Sequence, residues 1–218
     1  MEKKVTPAVV DKTLELASLM LAFGRTLRAT HHEDGERRET DSDHTVMLGV
    51  MACAYADVFA PQLDKGKIAQ YALVHDLVEV YAGDTVTFGK LDGSGDKEKE
   101  ERETAALVRI REEFDVVYPW IGKTIEEYES LNSYEARFVK VIDKVMPKLV
   151  HILNKGATVR ALNHDDKSTK EFHDYQFNRL TQTYGADQAE AMELLKCVNE
   201  AVQKARKDWD DELETACT

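Results

Sequence analysis

"HDLVEVYAGD", residues 75–84, places four ionisable side chains among valine, leucine, tyrosine and alanine in a stretch with helical periodicity. Unpaired charge buried in such a setting is strongly unfavourable. In a helix, His75, Asp76 and Glu79 lie at i, i+1 and i+4, so Glu79 projects near both of the others. Tyr71, Val78 and Ala82, at −4, +3 and +7 from His75, turn that row inward. Gly83 is a good helix stop, and Asp84 falls just beyond it, where the chain can turn back toward the same end. The decapeptide is a ligand set in search of a cation.

Two distant helices carry the same inconsistency. His44 begins an apolar row completed by Leu48, Met51 and Tyr55. Asp143 sits in a row with Val139, Met146 and Val150. Pro147 cannot donate to the carbonyl of residue 143, so a kink or a freed carbonyl is expected at that turn. His44, His75, Asp76 and Asp143 together offer two imidazoles and two carboxylates. That mixture suits one divalent ion (Mn, Co, Fe, Ni, Mg or Zn) in an open site better than a structural zinc, which favours thiolates. The dipeptide His-Asp alone is a weak signal. "NHDD" at 163–166 and "FHDY" at 172–175 lack the following Glu and Asp and read as surface.

Composition narrows the class. A chain of 218 residues builds one substantial core, or one domain with an appended arm. Hydrophobic residues are 43% and charged residues 32%, an ordinary globular balance. No stretch approaches the ~18 apolar residues of a membrane span. The opening "MEKKVTPAVV" lacks the apolar run of a signal peptide, so a cytoplasmic location is expected. Cys53, Cys197 and Cys217 show no CxxC spacing, which argues against a zinc knuckle or disulfide scaffold, and Cys53 reads as a small core residue. A net charge of −12 argues against a nucleic-acid polymer as partner, though not against a small phosphorylated one.

Along the chain, Thr6 and Pro7 open a helix expected to run to about residue 29. Residues 30–43 read as loop, and a helix follows from His44, with Ser42 or Asp43 as its cap. A single helix is expected over "DKGKIAQYALVHDLVEVYAG", then a loop that is most flexible around "DGSGDKEKEE" and turns helical near Glu101. Another helix runs from about Tyr134 to Asn154, and residues from about 169 to 214 form one or two amphipathic helices. "TVTF", residues 85–88, is the only strand candidate. The fold class is all-α: a helical bundle over residues 1–160 with a C-terminal helical extension, 161–218, packed on the same domain.

The ordered set His44, His75-Asp76, Asp143 resembles the H…HD…D pattern of the HD-domain metal-dependent phosphohydrolase superfamily. "HDLVEVYAGD" is similar to the HDxxExxxGD segment of its 5′-deoxynucleotidase branch, the YfbR-like and HDDC2-like proteins. "DKEKEERETAA" and "YEARFVKVIDKV" also resemble segments of that branch, so the likeness covers roughly residues 10–155.

The resemblance implies an HD-domain bundle in which His44, His75, Asp76 and Asp143 hold one divalent metal. It implies hydrolysis of deoxynucleoside monophosphates to deoxynucleoside and phosphate by a metal-activated water. Glu79 would position that water or shuttle its proton, and Asp84 would bind the sugar or assist the leaving group. Arg28, or Arg25 beside it, with Lys144 and Lys148 flanking Asp143, would bind the substrate phosphate. Members of the branch place an arginine and then a tryptophan ahead of the first histidine, whereas "TLRATHH" here has no aromatic. A triphosphohydrolase releasing tripolyphosphate from dNTPs is the alternative within the fold. Val80 after Glu79 counts against an alarmone hydrolase. A catalytically lapsed helical binding module is the alternative outside enzymes. Branch members often dimerise, and the C-terminal helices either supply a homodimer interface or cap the core.

Overall fold

A computed structural model describes residues 4–91 and 96–216, and it is all-α apart from one short hairpin. Helix α1, Pro7–Phe23, begins as its sequence demands: Thr6 accepts from the Val9 N–H, and Pro7 occupies the first turn. It stops well short of residue 29. Gly24 donates its N–H to the Met20 carbonyl, and the chain leaves as strand β1, Leu27–His31. β1 pairs antiparallel with β2, Arg38–Thr40, with Leu27 opposite Thr40 and His31 opposite Arg38. Residues 30–43 are therefore not a plain loop. Their polarity hides a ribbon that carries Arg28 toward the interior.

Helix α2, Asp41–Phe59, starts before His44. Its cap is neither Ser42 nor Asp43. Thr40 accepts from the Asp43 N–H, and the Asp43 carboxylate accepts from the Thr40 N–H, a reciprocal box that fixes the first turn. The expected single helix over 64–83 is two: α3, Lys65–Val74, and α4, Glu79–Ala82. Between them Leu77 N–H bonds the Val74 carbonyl at 3.1 Å and Glu79 N–H bonds the Asp76 carbonyl at 2.9 Å, the tightened spacing of a 3₁₀ turn. Gly83 then closes α4 at a φ of 75°, a conformation strained for any side chain.

"TVTF" makes no strand; Phe88 instead docks among the rings of Phe172, His164, His151 and His173. Residues 92–95 of the expected flexible loop lie outside the described residues, and α5, Asp96–Phe114, begins earlier than Glu101. Helix α6, Trp120–Glu129, has no counterpart in the sequence reading, although Ile121, Ile125 and Tyr128 face inward at helical spacing. α7, Tyr134–Leu153, is capped by Ser133 and runs through Pro147. α8, Ala157–Ala161, α9, Asp166–Tyr184, and α10, Ala189–Ala216, complete the chain.

Two apolar clusters make the core. One joins Leu48, Ala52, Ile68, Tyr71 and Ala72 to Val139, Ile142 and Met146, and takes in Leu180, Met192, Leu195 and Val198 from α9 and α10. The other joins Leu19 and Phe23 to Val74, Leu77, Val78, Ile110, Phe114 and Ile125. The His75-Asp76 turn lies where α3 passes from the first cluster to the second, so packing on both sides pins it. Cys53 is half-buried against the first cluster, Cys197 is exposed, and Cys217 lies outside the described residues. Among the described residues no helix is long and apolar enough to cross a membrane.

Candidate metal centre

His75 Nδ1 lies 2.8 Å from the Ala72 carbonyl oxygen. A carbonyl only accepts, so Nδ1 carries the proton and the Nε2 lone pair faces away from the backbone. It faces Asp76 Oδ2 at 2.9 Å and Asp143 Oδ1 at 3.9 Å. From α2, His44 Nε2 approaches the same oxygens, Asp143 Oδ1 at 2.9 Å and Asp76 Oδ2 at 4.0 Å. The imidazole centroids are 5.3 Å apart. His44, His75 and Asp143 are buried, and among the described residues His75 Nε2 and His44 Nδ1 have no hydrogen-bond partner of suitable geometry. Imidazole and carboxylate groups pressed this close in a buried setting need a positive centre among them, a proton or a metal ion. Donors each about 2.1 Å from one ion stand about 3–4 Å apart, the separations found here. The residues fit a divalent metal.

Protein charges alone report the same demand. Burial works to lower the His75 pKa, yet Asp76 and Asp143 hold it above its ordinary value. Burial, helped by Arg28, lowers His44. Burial would raise both carboxyls, but His75 and Arg28 hold Asp76 well below the usual range, and Lys144 and His44 do the same for Asp143.

Beside the imidazoles lies a second carboxylate group, Asp41, Asp76 and Glu79. Arg28 from β1 serves all three: Nη1 is 2.6 Å from Asp76 Oδ2, 3.3 Å from Asp41 Oδ1 and 3.8 Å from Glu79 Oε2. Burial opposes the guanidinium charge, but Asp76, Asp143, Glu79 and Asp84 keep its pKa raised. Glu79, at the first turn of α4, is pushed up to about 10 by burial and then by Asp76, Asp84 and Asp41, with Lys99 opposing from 3.8 Å. Burial and Asp76 push Asp41 up to about 7.

The structure brings together His44, His75, Asp76, Asp143, Glu79 and Arg28. Asp84, just after the Gly83 stop, lines the adjoining cavity. Lys144 Nζ sits 2.6 Å from Asp143 Oδ2 at the cavity wall. Lys148 is buried one turn further along α7. Arg25 is exposed in the turn after α1 and does not line the cavity. Asp41 was missed, although it begins the inward row Asp41, His44, Leu48. Lys99 had no signal, being one lysine in a long charged run. "FHDY" is not surface: His173 is buried where α9 meets α7, and His164 is half-buried against Phe88.

The cavity itself, about 110 Å³, runs from Arg28 and Asp143 to α8 and α9.

Residues 24–183 match the HD domain family, and the chain belongs to it. It is similar to the 5′-deoxynucleotidase HDDC2 of Homo sapiens, 29% identical over 140 residues that cover 64% of this chain and 63% of that protein. The zebrafish (Danio rerio) 5′-deoxynucleotidase HDDC2 is 34% identical over 138 residues, 62% of this chain and 66% of that one. The chain thus spans somewhat under two-thirds of the length of these curated relatives. A crystal structure described as a predicted metal-dependent phosphohydrolase from Magnetospirillum magnetotacticum MS-1 superposes with a TM-score of 0.70 at 22% identity, covering 90% of this chain and 96% of that one, and so shares its fold.

Proposed function

We propose that the protein is a metal-dependent phosphohydrolase that cleaves deoxynucleoside 5′-monophosphates to deoxynucleoside and phosphate. One observation carries the reading: side chains from α2, α7 and the α3–α4 turn converge, with His75 Nε2 2.9 Å from Asp76 Oδ2 and His44 Nε2 2.9 Å from Asp143 Oδ1. His44, His75, Asp76 and Asp143 would hold the ion, drawn from Mn, Co, Fe, Ni, Mg or Zn. When bound, a divalent ion supplies Lewis acidity and a water of lowered pKa. The similarity to proteins named 5′-deoxynucleotidases supports the choice of substrate.

The chain's own groups supply the rest. Arg28 and Lys144 border the cavity beside Asp143 and bind the phosphate oxygens. Net reaction joins a water oxygen to phosphorus, breaks the bond from phosphorus to the 5′-oxygen, and leaves one water proton on that oxygen. Glu79, whose carboxyl burial and the neighbouring Asp76 hold above the ordinary range, relays the proton. Asp84 accepts from the sugar. Where the branch carries a tryptophan after its arginine, Ala29 borders the cavity, and the aromatic wall is Phe88 and Phe172 on other elements.

The free thiols of Cys53 and Cys197 support a cytoplasmic setting. Val46 and Val50 of α2 and Leu73 of α3 stay exposed, and we place a homodimer contact there. Residues 161–218 act as an integral extension, since α9 supplies cavity wall and α10 supplies core.

Elemental analysis of the purified protein, followed by phosphate release from dAMP, AMP and dATP, tests the reading. A bound divalent metal with orthophosphate from dAMP is expected. Tripolyphosphate from dATP would shift the assignment to a triphosphohydrolase. No metal and no turnover of any nucleotide would overturn it.

A further inference from the structure

Helix α4 is four residues long, too short to hold its own shape, and α5 serves as its template. Tyr81 of α4 donates its hydroxyl to Glu113 Oε2 at 2.6 Å, and the Arg109 guanidinium lies 3.7 Å over the Tyr81 ring. The segment after α4 is tied to the same helix. Arg102 Nη2 donates to Thr85 Oγ1 at 2.7 Å, one residue beyond Asp84. At the start of α5, Lys99 Nζ lies 3.8 Å from Glu79 Oε1 and 3.3 Å from Glu103 Oε1.

Lys99 gains little from its own helix. It stands in the first turn of α5, where the positive end of the helix dipole opposes a cation. Its i, i+4 pair with Glu103 runs from Lys to Glu, the less favourable order. Helix stability therefore does not account for a lysine here. The half-buried side chain instead reaches across to a carboxyl that is 3% exposed. Arg28 Nη1 approaches the other oxygen, Glu79 Oε2, also at 3.8 Å, and among the described residues that oxygen accepts no hydrogen bond. The carboxyl is thus held between two cations on different elements. Oε1 faces α5, and Oε2 faces Arg28, which also holds Asp76 at 2.6 Å. Lys99 lines the neighbouring groove and not the cavity bordered by Arg28 and Asp143, so it stands apart from the substrate phosphate.

We infer that Lys99 is a positioning residue for hydrolysis: it holds Glu79 Oε1 so that Oε2 stays aimed at the metal centre, and Glu103 anchors Lys99 in turn. The inference rests on the nucleotidase reading for the role of Glu79. Lys99 itself touches no reacting atom. Without it the carboxyl loses one of its two fixed ends, and a misplacement of about 1 Å is enough to slow a positioned proton transfer.

Steady-state hydrolysis of dAMP by the metal-loaded full chain tests this through a cycle of variants. Lys99→Met should lower kcat at least about tenfold, with KM and metal content as in the parent. Lys99→Arg keeps a cation at similar reach and should recover most of the loss. Glu103→Gln, which loosens the anchor, should fall between the parent and Lys99→Met. The deciding comparison is Glu79→Gln alone against Glu79→Gln combined with Lys99→Met. If Lys99 acts through Glu79, the added change slows the enzyme no further. Equal fold-losses in the two backgrounds would overturn the inference, since a merely structural lysine slows both alike. A raised KM with parental kcat would overturn it too, because Lys99 would then be binding substrate. So would parental kinetics in Lys99→Met. A parent protein that hydrolyses no nucleotide sinks the nucleotidase reading and this role with it, whereas turnover in the parent with an additive cycle sinks the role alone.

Discussion

Arg28 and Asp76, 48 residues apart, meet at 2.6 Å, and the same guanidinium on a β-strand lies 3.3 Å from Asp41 of α2 and 3.8 Å from Glu79 of α4. Removing it leaves Asp41, Asp76 and Glu79 without their cation. Arg28→Met is expected to lower unfolding stability by about 3 kcal/mol, because an uncompensated buried charge costs more than its pair gains. It should also raise KM for dAMP, since Arg28 lines the cavity proposed to hold the phosphate. Urea unfolding and steady-state kinetics check both, and a variant unchanged in both would remove Arg28 from the site.

Loss of a metal donor should be complete in its effect. His75→Ala and Asp143→Ala are expected to purify without stoichiometric metal and to release no phosphate. Elemental analysis beside a phosphate assay is the measurement. A variant that kept both would show that the cluster is only polar packing.

Glu79 separates binding from chemistry. Glu79→Gln keeps the shape, leaves the donor cluster intact and removes the exchangeable proton. Metal content should match the parent, while kcat falls about 10²-fold or more. Parental kcat in Glu79→Gln would exclude a proton relay through this carboxyl.

Acid should destabilise the cavity wall before it protonates most carboxylates. Burial, then Lys148 and Arg206, push His151 down to about 3, and burial, Lys148, His151 and Arg206 push His173 down to about 2, both from an ordinary 6.5. The unfolded chain takes up these protons near pH 6.5, whereas the folded chain resists them until about pH 3. More protons are then bound in the unfolded state, so stability falls as pH drops through that window. Together the two imidazoles account for a loss of about 4 kcal/mol between pH 7 and pH 5. His151→Leu with His173→Leu should flatten that part of the curve in denaturant titrations at each pH. A slope equal to the parent's would mean that these imidazoles do not stay neutral.

Leu195 of α10 is fully buried in the cluster that also contains Val139 and Met146 of α7. Leu195→Ala is expected to cost about 2–5 kcal/mol in one cooperative transition. A separate early transition, leaving the rest intact, would show α10 to be an independent appendage.

Much of the centre was legible because charge on an apolar helical row is a contradiction visible in one dimension. His44, His75 and Asp143 each announce themselves by their neighbours at three, four and seven residues. Asp41 escaped notice because it stands in a polar run, where a carboxylate is no contradiction; only the start of α2 at Thr40 puts it on the same row as His44. The β-hairpin was hidden for a related reason. "LRATH" and "RET" are short and charged, with no alternation to read, and their pairing is a property of the ribbon rather than of either strand. The division of α3 from α4 could not be seen either: the periodicity of "LVHDLVEV" is continuous, and a side-chain bond from His75 to Ala72, with tighter backbone bonds after it, changes the turn. His173 was misjudged because its burial depends on where α9 lands.

Lys148 and Gln176 hold each other across two helices, α7 and α9, from separate stretches of the chain. Substitutions in α9 therefore reshape the cavity wall without touching His44, His75, Asp76 or Asp143.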